Sequence, residues 1–93
     1  MIIGTCIVYL NLPSAHSLKE KRMVVKSTID RVKNKFNVSI AEIEDQDLHQ
    51  SIVIGVAVVS TDTSHANSVV QKVLNYIGEI CEADLIDSHI EIL

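Results

Sequence analysis

Residues 2–10 read Ile2-Ile3-Gly4-Thr5-Cys6-Ile7-Val8-Tyr9-Leu10, and this stretch decides the fold. It is rich in β-branched side chains. Its two alternating sets, Ile2/Gly4/Cys6/Val8/Leu10 and Ile3/Thr5/Ile7/Tyr9, are both mostly apolar. A strand apolar on both sides belongs in the middle of a sheet. Residues 52–59, Ile52-Val53-Ile54-Gly55-Val56-Ala57-Val58-Val59, are apolar without interruption and predict a second central strand.

Outward from the first strand, Pro13 and Ser14 break the extended chain, and Ser17-Leu18-Lys19-Glu20 has the capping-box form that starts a helix. Leu18, Val25, Ile29, Val32 and Phe36 then draw one apolar stripe along a helix predicted to end near Asn37. Val38–Glu44 reads as an edge strand whose alternation changes phase around Ala41, the mark of a bulge. A polar loop, Glu44-Asp45-Gln46-Asp47, leads to the second central strand. Beyond it, Thr61-Asp62-Thr63-Ser64 offers N-caps for a second helix carrying Ala66, Val69, Val70, Val73, Leu74, Ile77 and Ile80. Ile86, Ser88, Ile90 and Ile92 alternate with Asp87, His89 and Glu91 in a closing edge strand. The order is βαββαβ. Right-handed crossovers put both helices on one side, so the chain is expected to be a single ferredoxin-like α+β sandwich over residues 1–93, with a four-stranded antiparallel sheet. That fold hosts unrelated functions and assigns no role.

At 93 residues, 47% hydrophobic and 22% charged, the chain has the make-up of one globular domain. Its only aromatics are Tyr9, Phe36 and Tyr76, so the core must be aliphatic. No run approaches the ~18 apolar residues of a membrane span, and the Met-Ile-Ile-Gly start lacks a basic leader, so no membrane is expected as a partner and the expected location is the cytoplasm. There Cys6 and Cys81, lone thiols on apolar segments, read as small reduced core residues. Two helices on one side of a sheet that is apolar on both sides leave one apolar face bare. A homodimer through that face is expected.

Seven of the eight Lys/Arg residues lie between Lys19 and Lys35. With Glu20 and Asp30 they give that segment +5, against −9 over the rest of the chain. Such asymmetry in an acidic protein points to one anion-seeking face. With Leu18 at zero on a helical wheel, Lys19, Lys26 and Lys33 fall at about 100°, 80° and 60° and Arg22 at about 40°. They form one stripe, while Lys21, Arg31 and Lys35 take the opposite flank. Only Asp30 stands at pairing distance from basic residues, Lys26 and Lys33. Lys19, Lys21 and Arg22 crowd the first turns, where the macrodipole prefers acids. Free N–H groups at that helix start, beside Ser14, His16, Ser17 and Lys19, make a phosphate site. The candidate anion- and RNA-binding residues are therefore His16, Ser17, Lys19, Arg22, Lys26 and Lys33. The competing reading is a solvated face whose charges pair with acids from other elements.

Other chemistry is not visible. His16, His49, His65 and His89 match no metal spacing, and the Glu44/Asp45/Asp47 run lacks the Gly and distal Glu of a calcium loop. No Gly-rich phosphate loop, nucleophile elbow or paired acid and base is present, so neither a cofactor nor an enzymatic activity is expected. RNA-binding sheets need aromatic rings on their central strands, and Tyr9 stands alone there. Nucleic acid would bind by charge along a helix.

Ser17-Leu18-Lys19-Glu20-Lys21-Arg22, with Asp30-Arg31 and Asn34-Lys35-Phe36-Asn37-Val38, resembles the YlxP-like family of small bacterial proteins of unknown function. The resemblance extends through Glu42–Asp47 with Leu48, Val53-Ile54-Gly55-Val56 and His65-Ala66. It implies a ferredoxin-like fold. Genes of this family tend to lie among those for translation and ribosome-assembly factors, which implies a ribosome-associated role; the resemblance carries over neither an activity nor functional residues. The expected function is a non-enzymatic factor binding structured or ribosomal RNA through the first helix. The alternative is an ACT-like ligand-binding or regulatory module acting as a dimer.

Overall fold

The computed structural model describes residues 1–93 as β1 (Ile2–Asn11), α1 (Leu18–Lys35), β2 (Ser39–Glu44), β3 (Ser51–Ser60), α2 (Thr63–Ile80) and β4 (Asp84–Ile92). The strands form one antiparallel sheet in the order β2-β3-β1-β4, so β1 and β3 are central and the fold is ferredoxin-like.

β1 and β3 pair in unbroken register from Ile2↔Ser60 to Asn11↔Ser51. The two-residue period puts Cys6, Val8 and Leu10 opposite Val56, Ile54 and Ile52 on the helix side, where they join Val25 and Val32 of α1 and Val70, Val73 and Ile77 of α2 in the core. A Cβ at Gly4 would stand 3.2 Å from both the Cβ and the carbonyl oxygen of Ala66. Glycine there lets the start of α2 lie directly on β1.

Both helices start as their sequences require. Ser17 Oγ accepts the Glu20 N–H at 3.2 Å, and the Glu20 carboxylate reaches back to the N–H of His16 at 2.6 Å, one residue short of the usual reciprocal partner. Asp62 caps α2 by accepting from the N–H of His65 at 2.9 Å. α1 stops at Lys35, two residues before the expected end. Phe36 turns extended there (φ −127°, ψ 146°), which brings its ring against Tyr76 of α2.

Two bulges depart from the sequence pattern. In β2 the register shifts between Glu42 and Glu44, so the extra residue is Ile43 and not one near Ala41. In β4 Tyr9 pairs with Asp87 but Leu10 with Leu85, which leaves Ile86 unpaired and exposed, out of phase with Ser88, Ile90 and Ile92. A bulge is defined by the partner's spacing, and one strand's alternation does not reveal where the partner skips.

The sheet face away from the helices carries Ile3, Thr5, Ile7 and Tyr9 of β1 beside Val59, Ala57, Gly55 and Val53 of β3. On its flanks lie Ser39, Ala41 and Ile43 of β2 and the polar row Asp87, His89 and Glu91 of β4. No helix is long and apolar enough to cross a membrane.

Candidate nucleic-acid interface

The face that α1 buries is Lys21, Val25, Thr28 and Val32. Leu18 is only half-buried. At about 100° per residue, the helix is turned by roughly 50° from an orientation centred on Leu18. The cause is Lys21, which the sequence pattern had set on an exposed flank with Arg31 and Lys35. Its alkyl stem runs through the core, and its ammonium lies 2.8 Å from Glu42 Oε2 while donating to the carbonyl oxygens of Asp45 at 2.7 Å and Ser51 at 3.1 Å. Glu42 Oε2 accepts no aligned hydrogen bond despite that distance, so its attraction for the ammonium is coulombic. Asp45 adopts the left-handed conformation (φ 57°) that Asp tolerates, and its carboxylate accepts from Ser51 Oγ at 2.8 Å. One lysine thus joins α1 to the β2–β3 loop.

That rotation carries the basic stripe outward. Measured from the centre of the buried face, Lys19, Lys26 and Lys33 sit at about 150°, 130° and 110° and Arg22 at about 90°. All four are exposed. Lys26 pairs with Asp30 at 2.7 Å, and that hydrogen bond and then the carboxylate's charge push the Lys26 pKa up. Lys21–Glu42 and Lys26–Asp30 are the two ion pairs of the molecule. Lys19, Arg22 and Lys33 therefore meet no carboxylate, either from α1 or from the acidic segments packed around it.

His16 and Ser17 stand at the N-terminal end of the stripe, where Glu20 takes part in the cap through both its N–H and its carboxylate. Ser17 Oγ accepts from the Glu20 N–H, and the Glu20 carboxylate accepts from the His16 N–H. The macrodipole at this end is thereby matched from within the chain. Gln50 fixes the preceding loop, accepting the Leu12 N–H at 2.8 Å and donating from Nε2 to the carbonyls of Pro13 at 3.2 Å and Ala15 at 3.4 Å.

The remaining polar groups are dispersed. No three His, Cys, Asp or Glu side chains come together to hold a metal. Cys6 is buried in the core, and burial pushes its thiol pKa up. Cys81 is only half-buried, at the end of α2, where Sγ accepts from Thr28 Oγ1 at 3.4 Å. A groove of about 420 Å³ beside α1, lined by Leu12, Met23 and Val24, carries Glu20 and Glu82 and none of the basic stripe. Sequence reasoning missed one cluster. Lys35 Nζ lies 4.4 Å from the Tyr76 ring centroid, and Phe36 meets the same ring edge-on at 5.6 Å. The scarcity of aromatics was the one sequence feature pointing to it.

Residues 3–90 match the family described as "Protein of unknown function (DUF503)". The chain is also 44% identical over 79 residues to "Uncharacterized protein YlxP" of Bacillus subtilis (strain 168), which covers 85% of this chain and 82% of that protein.

Proposed function

The chain belongs to the DUF503 family, and we propose that it is a non-enzymatic factor that binds structured RNA, ribosomal RNA included, through the exposed basic face of α1. The observation that carries this reading is the row Lys19, Arg22 and Lys33, which no carboxylate meets in a chain of net charge −4. Lys19 and Lys33 are about 21 Å apart along the helix axis at ~1.5 Å per residue, room for several phosphates of one backbone. Three or four phosphate contacts imply a log–log salt slope of about −2 to −4 and little base specificity. The acidic remainder of the molecule turns this face toward RNA and the other faces away.

The test reverses Lys19, Lys26 and Lys33 to Glu and measures ribosome cosedimentation and RNA affinity at two salt concentrations. A folded triple variant is expected to lose binding and most of the salt slope. Wild-type affinity with the wild-type slope would make the stripe a solvated face and end this reading.

The bare sheet face supports a second part of the proposal, a homodimer. A groove of about 400 Å³ lies over the small residues Ser39, Ala41, Gly55 and Ala57 and is walled by Ile7 and Ile43. Ile3, Ile7 and Tyr9 stand beside it on β1. A two-fold axis would set this ridge of one copy in the groove of the other. Four strands spaced ~4.8 Å apart and about nine residues long span roughly 500 Å² per copy. Two such faces reach the ~1,000 Å² that a specific interface needs. Both α1 stripes would remain on the outside.

A further inference from the structure

Two of the three aromatic rings and the one basic residue outside α1's segment, Lys72, take no part in the stripe, yet the tertiary structure gathers them. The end of α1 and the middle of α2 form a cleft of about 230 Å³ lined by Lys35, Phe36, Lys72, Asn75, Tyr76 and Glu79. We propose that this cleft docks an unpaired nucleobase of the RNA, stacked on Tyr76, with its flanking phosphates on Lys35 and Lys72. The inference rests on the RNA-binding reading and extends it from the phosphate backbone to single-stranded segments.

Tyr76 is half-buried, and the Lys35 ammonium lies over one face of its ring, 4.4 Å from the centroid, on a side chain that is itself exposed. That face is therefore reached from solvent by moving a flexible lysine, without disturbing the core. A cation over a ring and a base over a ring use the same π surface, and the displaced ammonium becomes a phosphate ligand. The Phe36 ring, edge-on at 5.6 Å and 70°, holds Tyr76 in place. At the rim, the Asn75 amide offers both a donor and an acceptor to a base edge. The Glu79 carboxylate repels a phosphate inside the cleft and accepts from a base N–H. The cleft opens on the flank of α1 opposite Lys33, so a strand on the stripe reaches it by crossing the C-terminal end of the helix.

The chain has no tryptophan and two tyrosines, so in a Tyr9→Phe variant Tyr76 is the sole tyrosine emitter. This variant is titrated with a single-stranded hexanucleotide RNA and, separately, with a short RNA duplex, while affinity is read by filter binding. Quenching of Tyr76 by the single strand and not by the duplex is expected. Tyr76→Leu should weaken single-strand binding roughly tenfold and leave duplex binding unchanged, with Tyr76→Phe retaining wild-type affinity. Lys35→Ala with Lys72→Ala, both at exposed positions, serves if Tyr76→Leu does not fold, and should also weaken the single strand selectively. Single-strand binding without quenching, and unchanged by these variants, would overturn the cleft while leaving the stripe intact. Failure of the wild type to bind either RNA would overturn the RNA reading and the cleft with it.

Discussion

Lys21 and Glu42 form an ion pair at 2.8 Å in which the lysine side chain has no solvent exposure and the glutamate 14%. Twenty-one positions separate the two residues, and their pairing sets which face of α1 the core receives.

Breaking that pair from one side strands a buried charge. Glu42→Gln leaves the Lys21 ammonium with the Asp45 and Ser51 carbonyls alone. The expected cost is about 3 kcal/mol, the lower end for a broken buried pair because those two acceptors remain. Replacing both partners, Lys21→Met with Glu42→Leu, should cost less than the sum of the single changes. Urea denaturation measures all three; strict additivity would show that the two residues act independently.

Asp30 restrains one member of the stripe. Asp30→Ala should release Lys26, bring its raised pKa back toward the ordinary 10.5, and add one phosphate contact. Nitrogen-detected NMR follows the titration. The salt slope of RNA binding is expected to steepen by about 0.7–0.9. An unchanged slope would remove Lys26 from the interface.

The two thiols should behave differently. In the native protein an alkylating reagent at pH 8 is expected to modify the half-buried Cys81 first and Cys6 only on global unfolding. Burial raises the Cys6 pKa above its ordinary 9.0, so above that pH the unfolded state ionises while the folded state keeps its proton. The unfolded state then binds fewer protons and stability falls as pH rises. Cys6→Val should flatten this alkaline decline at a cost of about 1 kcal/mol, with RNA binding intact. Equal labelling rates for the two thiols would contradict the burial.

Light scattering at micromolar concentration should report twice the 10.3 kDa chain mass. Ile7→Glu, in the middle of the bare face, should return a monomer without melting the helices. A wild-type species of chain mass would sink the dimer. Dimers that gain thermal stability from an amino acid or nucleotide would instead carry the ACT-like ligand-module reading.

The elements and their order were legible in the sequence because each depends on its own period and ends: both-sided apolarity in β1 and β3, the Ser17/Glu20 box, and Asp62 before an apolar stripe. The charge asymmetry that defines the stripe was legible for the same reason, being a property of one continuous segment. What only the tertiary structure decided are relations between segments. Lys21 is buried because Glu42, Asp45 and Ser51 surround its ammonium, and a period that reads lysine as polar cannot register partners supplied by another strand and loop. The positions of the Ile43 and Ile86 bulges depend on where a neighbouring strand skips a residue. Lys35, Phe36, Lys72 and Tyr76 converge only because two helices meet. Local propensity and periodicity act within a turn or a pleat, whereas desolvation and pairing of charge act across space.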